Sequence, residues 1–182
     1  MGKTPFAYRR KAYITVGNDP GKCDFGPFTP GTITAGMQEA INSLITGALT
    51  GGTIYVKGIL YGTGTITIPQ IPMSDQYWLS NSNELAQLRI IGDGPFASQY
   101  VIDSPTAGQN LLKADTIAGG NYASVDLIME GRGFVFGSVN HGDGIDLTNI
   151  LMGRVSDVNV FGHGDTWRGM GIVLPAYNKS RL

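Results

Sequence analysis

Cysteine, histidine and tryptophan are scarce in this chain: its 182 residues contain one, two and two of them. The lone Cys23 excludes an internal disulfide and any cysteine-cluster metal site, leaving a small packed thiol as the reading of it. Charge is also sparse, with 15% Asp, Glu, Lys and Arg against about 25% in ordinary globular chains. The formal net charge of -1 argues against nucleic acid or an anionic membrane as the main partner. No apolar run approaches the roughly 18 residues of a membrane span. The opening M-G-K-T-P-F-A-Y-R-R-K carries no apolar stretch of a secretory signal. It reads instead as a basic arm over residues 1–12, solvated by default. A Walker-type phosphate loop is missing as well.

What the chain does have is glycine, 27 residues of it, about twice the usual share. Only one segment has a helical period. From Thr34, Met37, Ile41, Leu44, Ile45 and Leu49 recur at steps of three and four, which predicts an amphipathic helix over 34–50. Thr34 is its N-cap and Gly51-Gly52 its stop. Beyond it the period drops to two in short runs: G-T-I-Y-V, T-I-T-I, L-R-I-I-G, Y-V-I-D, N-L-L-K, V-D-L-I-M-E-G, F-V-F-G, G-I-D-L, V-S-D-V-N-V-F-G and G-I-V-L. They are punctuated by Gly, Asn and Asp, so they read as strands joined by turns. With no second helix between them a βαβ sheet is disfavoured, leaving a sandwich, barrel or solenoid. The echo of Val125 onward at Val155, and of Gly144 onward at Gly171, favours stacked strand-and-turn units, hence a solenoid. Residues 70–87, with Trp78 and S-N-S-N-E, read as an inserted surface loop.

Taken in order, I-T-V-G-N-D-P-G-K-C-D-F, the helix, G-G-T-I-Y-V-K-G-I-L-Y, L-R-I-I-G-D-G-P and V-I-D resemble the entry into right-handed parallel β-helix proteins. That pectate lyase-like superfamily includes pectin esterases, polygalacturonases and phage tailspikes. The resemblance implies an all-β, right-handed parallel β-helix solenoid with an N-terminal capping α-helix, occupying 13–182 as one short domain. Its activity motifs do not transfer intact. Gly162-His163-Gly164 matches the G-H-G of polygalacturonases, and N-H-G-D-G-I-D at Asn140 partly matches their N-T-D element. The required Asp-Asp pair and R-I-K element are absent, and Trp167-Arg168 reverses the order found in pectin esterases.

The polar candidates therefore lie between residues 132 and 168. Asp143, Asp146, His163 and Asp165 are the catalytic candidates, since glycoside hydrolysis needs two carboxyls about 5–10 Å apart. His141, Trp167, Arg168 and Arg132 are the substrate-binding candidates, Trp167 as a stacking platform for sugar. If equivalent turns stack, Asp143 and Asp165 form a vertical polar ladder with the two histidines. Against this stands the turn reading, because Asp and Asn beside glycine bond nearby backbone and accept unusual φ. No metal signature is present and no cofactor is expected, save calcium were the chemistry lyase-like. Four or five stacked units fit in this length, with the helix over one end and only P-A-Y-N-K-S-R-L for the other. An open end exposes apolar surface and strand edges, so a homo-oligomer or the N-terminal part of a longer protein is expected. Two functions remain: a structural or polysaccharide-binding module, extracellular or on a virion surface such as a spike, or a polysaccharide lyase or glycoside hydrolase.

Overall fold

The computed structural model describes residues 12–45, 51–69, 87–102, 106, 108–115, 126–137, 142–150, 152–162 and 171–174. The order of elements is β1 (Ala12–Val16), α1 (Met37–Ile45), β2 (Gly51–Val56), β3 (Ile59–Gly62), β4 (Ile66–Ile68), β5 (Gln87–Gly92), β6 (Gln99–Ile102), β7 (Leu112–Ala114), β8 (Asp126–Phe136), β9 (Ile145–Asp146), β10 (Met152–Phe161) and β11 (Ile172–Val173). The described chain is thus all-β with one short helix. The strands form a seven-stranded sheet and a four-stranded sheet, and every described strand pair is parallel.

Successive passages of chain return to the same three rows of strands. One row is β1, β2, β5 and the first halves of β8 and β10. A second is β3, β6 and the second halves of β8 and β10. The third is β4, β7, β9 and β11. Because strand side chains alternate, register carries apolar residues into columns. Ile14, Ile54, Ile90, Met129 and Val155 share one. Leu60, Tyr100, Phe134 and Val160 share another, and Ile66, Leu112, Ile145 and Ile172 a third. Away from the terminal strands these side chains are fully buried and form one core, each contributing about 1.5–3 kcal/mol of burial.

V-D-L-I-M-E-G and F-V-F-G, read from sequence as two strands, are one bent strand, β8. The bend is made at Gly131, whose φ is +60°, and β10 bends beside it at Asp157, φ +52°. The register places these two residues opposite each other, between the pairs Glu130–Ser156 and Arg132–Val158. Asp is among the few non-glycine residues that accept this left-handed conformation. The sequence echo that aligns Val125 with Val155 is also corrected, because Val155 pairs with Met129. The echo between Gly144 and Gly171 holds, since Ile145 pairs with Ile172.

The helix covers the core with Met37, Ala40, Ile41, Leu44 and Ile45. It begins three residues later than expected because Ala35 and Gly36 adopt positive φ, +53° and +84°. Thr34 nevertheless caps it, its hydroxyl accepting from the Gln38 N–H at 3.0 Å. One side chain explains how the helix closes a sheet edge. The Gln38 amide donates to Thr67 O at 2.9 Å and accepts from Thr67 N at 2.7 Å. It thereby stands in for the strand that β4 lacks on that side. Residues 1–11, Leu49 with the end of the expected helix, the expected 70–87 loop except Gln87, and the tail 175–182 lie outside the described residues.

Candidate functional site

Of the sequence candidates, His141, His163, Asp165, Trp167 and Arg168 lie outside the described residues. Asp146 is engaged locally. Its carboxylate accepts from the Thr148 N–H at 3.0 Å and the Thr148 hydroxyl at 2.8 Å, the bonding of an Asx turn. The Asp143 N–H donates to Asn110 Oδ1 at 3.0 Å. A Cβ at Gly142 would collide with the same oxygen, so close stacking of this turn on residues 108–110 requires glycine. On either side of the loop the register pairs Met129 with Val155 and Ile145 with Ile172. Both partnerships span more of the chain than separates Asp143 from Asp165. The expected ladder rests on His141, His163 and Asp165, which lie outside the described residues.

Arg132 stands inside the molecule, not on the glycan-facing surface expected of it. Its position after the Gly131 bend turns it inward on the same face of β8 as Phe134, with Val158 as its register partner, and it is 0% exposed. Its guanidinium carbon sits 5.7 Å from the Phe134 ring centroid. Nε, Nη1 and Nη2 have no hydrogen-bond partner among the described residues. Burial alone lowers its pKa to about 9.

The described polar surface with the richest chemistry is instead the outer face of the first row. Side chains that alternate with the buried columns point to solvent, and the register brings Tyr13, Thr53, Arg89, Ile128 and Arg154 into one line. Thr15, Tyr55, Ile91, Glu130 and Ser156 form the next. Tyr13 and Tyr55 stack with centroids 6.3 Å apart and planes 23° from parallel. Tyr13 remains 60% exposed. Lys57 Nζ lies 5.9 Å from the Tyr55 centroid. The Tyr55 hydroxyl donates to Asp93, a bond that raises its pKa.

Farther along the face, Glu130 is shared by two arginines, at 3.2 Å from Arg89 Nη2 and 2.8 Å from Arg154 Nη2. The Ser156 hydroxyl adds a longer bond of 3.4 Å to the same carboxylate. At the other margin the Asp24 carboxylate accepts from the Thr15 N–H and hydroxyl, both at 2.8 Å, which holds its pKa below the ordinary carboxylate value. The face thus presents the exposed Tyr13 ring, stacked on a half-buried Tyr55, beside guanidinium donors tethered by one carboxylate. Stacking surface next to planar hydrogen-bond donors is suited to polyhydroxylated or carboxylated ligands.

No protein-family model, curated protein or solved structure matches this chain. Among the described residues no three His, Cys, Asp or Glu side chains converge as metal ligands. No described helix is long and apolar enough to cross a membrane.

Sequence reasoning missed this face because its members lie on separate strands far apart in the chain, in L-R-I-I, L-I-M-E, G-R-V-S and T-I-Y-V. The available signal was a charged or aromatic residue in the outward slot of one alternating strand after another. It becomes a site only when the register is known.

Proposed function

We propose that the three strand rows wind as a right-handed parallel β-helix capped by α1, and that the chain is a structural, polysaccharide-binding module. The uniformly parallel pairing and the recurrence of three strands per passage support the winding. The observation that carries the binding role is the outer face on which the Tyr13–Tyr55 stack lies beside the Arg89–Glu130–Arg154 network. A sugar ring would stack on the tyrosines while its hydroxyl or carboxylate oxygens accept from the guanidiniums. This suits a surface or virion protein that contacts glycans.

Calorimetric titration of the full chain with neutral and acidic polysaccharides tests the reading. Tyr55→Ala and Arg154→Ala should each weaken binding about 5- to 30-fold, corresponding to roughly 1–2 kcal/mol. Unchanged affinity in both variants, or no binding across the panel, refutes the assignment of this face. Product release from the same polysaccharides would favour the enzyme reading over a binding module.

A further inference from the structure

The carboxylate of Glu130 stands between two arginines on the outer face of the first row. It lies on β8, and the register sets it one line across from Arg89, Ile128 and Arg154, diagonal to both arginines. Its Oε2 accepts from Arg89 Nη2 at 3.2 Å, and its Oε1 accepts from Arg154 Nη2 at 2.8 Å and from the Ser156 hydroxyl at 3.4 Å. Both carboxylate oxygens are therefore engaged, and one negative charge is shared between two positive ones. Glu130 is the least exposed of the three side chains, 29% against 40% for Arg89 and 68% for Arg154. It thus fills, from within the protein, the place between the guanidiniums that a ligand carboxylate would otherwise take.

We propose that Glu130 makes this face selective for neutral, hydroxyl-bearing glycans and against carboxylated ones. The inference rests on the glycan-binding reading above and narrows it. An arginine that has given one N–H to Glu130 keeps further N–H groups, and an uncharged hydroxyl accepts from these without electrostatic cost. A uronate carboxylate brought to the same donors comes within a few ångströms of Glu130, where like charges repel strongly enough to decide between ligands. Discrimination then comes from a repulsive group built into the site, which a simple cationic patch lacks. The floor suits a neutral ring. Ile128 stands between the arginines in their line and Ile91 beside Glu130 in the next, both partly exposed. The Tyr13–Tyr55 stack continues this surface along the same two lines.

Matched ligands test this: gluco-, galacto- and manno-oligosaccharides, each beside its counterpart oxidised to the uronate, titrated calorimetrically into the full chain. The wild type should bind the neutral member of a recognised pair at least about tenfold more tightly. Glu130→Gln keeps the side-chain length and removes the charge. In that variant neutral binding should weaken about two- to fivefold, as the arginines lose their tether, while uronate binding strengthens. The ratio of the two affinities then moves by at least about tenfold toward the acid. Glu130→Asp, which keeps the charge, should retain the wild-type preference, with circular dichroism confirming the fold of both variants. A residue that served only to hold the strands together would change both affinities alike. Acidic ligands preferred by the wild type, or a ratio that Glu130→Gln leaves unmoved, overturn the proposal while the glycan reading stands. Binding of neither member of any pair overturns the glycan reading and this proposal with it.

Discussion

Replacing Arg132 with methionine should make the protein more stable. Methionine keeps the unbranched apolar length and removes a cation whose three nitrogens have no hydrogen-bond partner among the described residues. Burial lowers the Arg132 pKa to about 9, well below the ordinary guanidinium value. At about 1.36 kcal/mol for each pH unit of that lowering, holding the charge inside at pH 7 costs on the order of 4 kcal/mol. Losing the contact with the Phe134 ring offsets about 0.5–2 kcal/mol of that. A net gain of about 3 kcal/mol remains, equivalent to a rise in Tm of roughly 6–12 °C for a chain of this size. The gain has a pH signature. Above about pH 9 the folded state has released a proton at Arg132 that the unfolded state still holds, so wild-type stability rises with pH there. Below pH 9 the penalty is fully present. The advantage of Arg132→Met over wild type should therefore be flat from pH 6 to 8.5 and shrink by about 2 kcal/mol near pH 10.5. Urea unfolding of both proteins across this range isolates the effect, since their other titrating groups are shared. A variant less stable than wild type by more than about 1 kcal/mol, or a difference independent of pH, would show that the guanidinium has a partner when folded.

Three further substitutions probe the backbone devices. Gly131→Ala forces a side chain into φ +60° and places Cβ 2.6 Å from Gly92 O. A loss of about 2–4 kcal/mol in urea unfolding is expected, more than conformational strain alone would produce. Asp157 should behave oppositely toward glycine: Asp157→Gly stays within about 1 kcal/mol of wild type or gains stability, while Asp157→Val loses about 1–2 kcal/mol. Equal losses at both Asp157 variants would mean that the carboxylate, not the conformation, matters. Gln38→Leu removes both bonds to Thr67 and should lower stability by about 1–3 kcal/mol. Gln38→Glu, which keeps the acceptor for Thr67 N, should recover about half, and the Thr67 amide should exchange faster only in the leucine variant.

Much of the secondary structure is legible in the sequence because its causes are local. The helical stripe from Met37 to Ile45 declares itself by period, and most strands do so by alternation bounded by glycine. β1 and β3 do not stand out in this way: A-Y-I-T-V and I-L-Y-G are short and gain meaning from β2 and β6 beside them. The bend of β8 is hidden for a different reason. E-G-R-G-F reads as a turn between strands, yet Gly131 supplies a single left-handed residue and the ladder resumes at once at Arg132–Val158. Local punctuation cannot distinguish one bent residue from a loop; pairing to a neighbour decides it.

The same limit explains why attention to scarce polar residues finds less than the strand register does. F-G-H-G-D-T-W-R-G stands out because histidine and tryptophan are rare here, but rarity is not a force. Phe161, its first residue, pairs with Val135 and touches Phe96 at 5.4 Å between ring centroids, so at least the entry to this stretch is fixed by apolar contact. Asp146 looks catalytic by composition and serves its own turn through Thr148. Arg132 looks like a ligand contact by charge, yet one left-handed glycine before it reverses which way it faces. Arg89, Glu130 and Arg154 look like ordinary strand polarity, and register gathers them around one carboxylate. In a stack of parallel strands the neighbours of a side chain lie one full passage away, as Val155 lies from Met129. Chemistry in such a fold is therefore assembled across the strands, where spacing along the chain carries almost no information about distance.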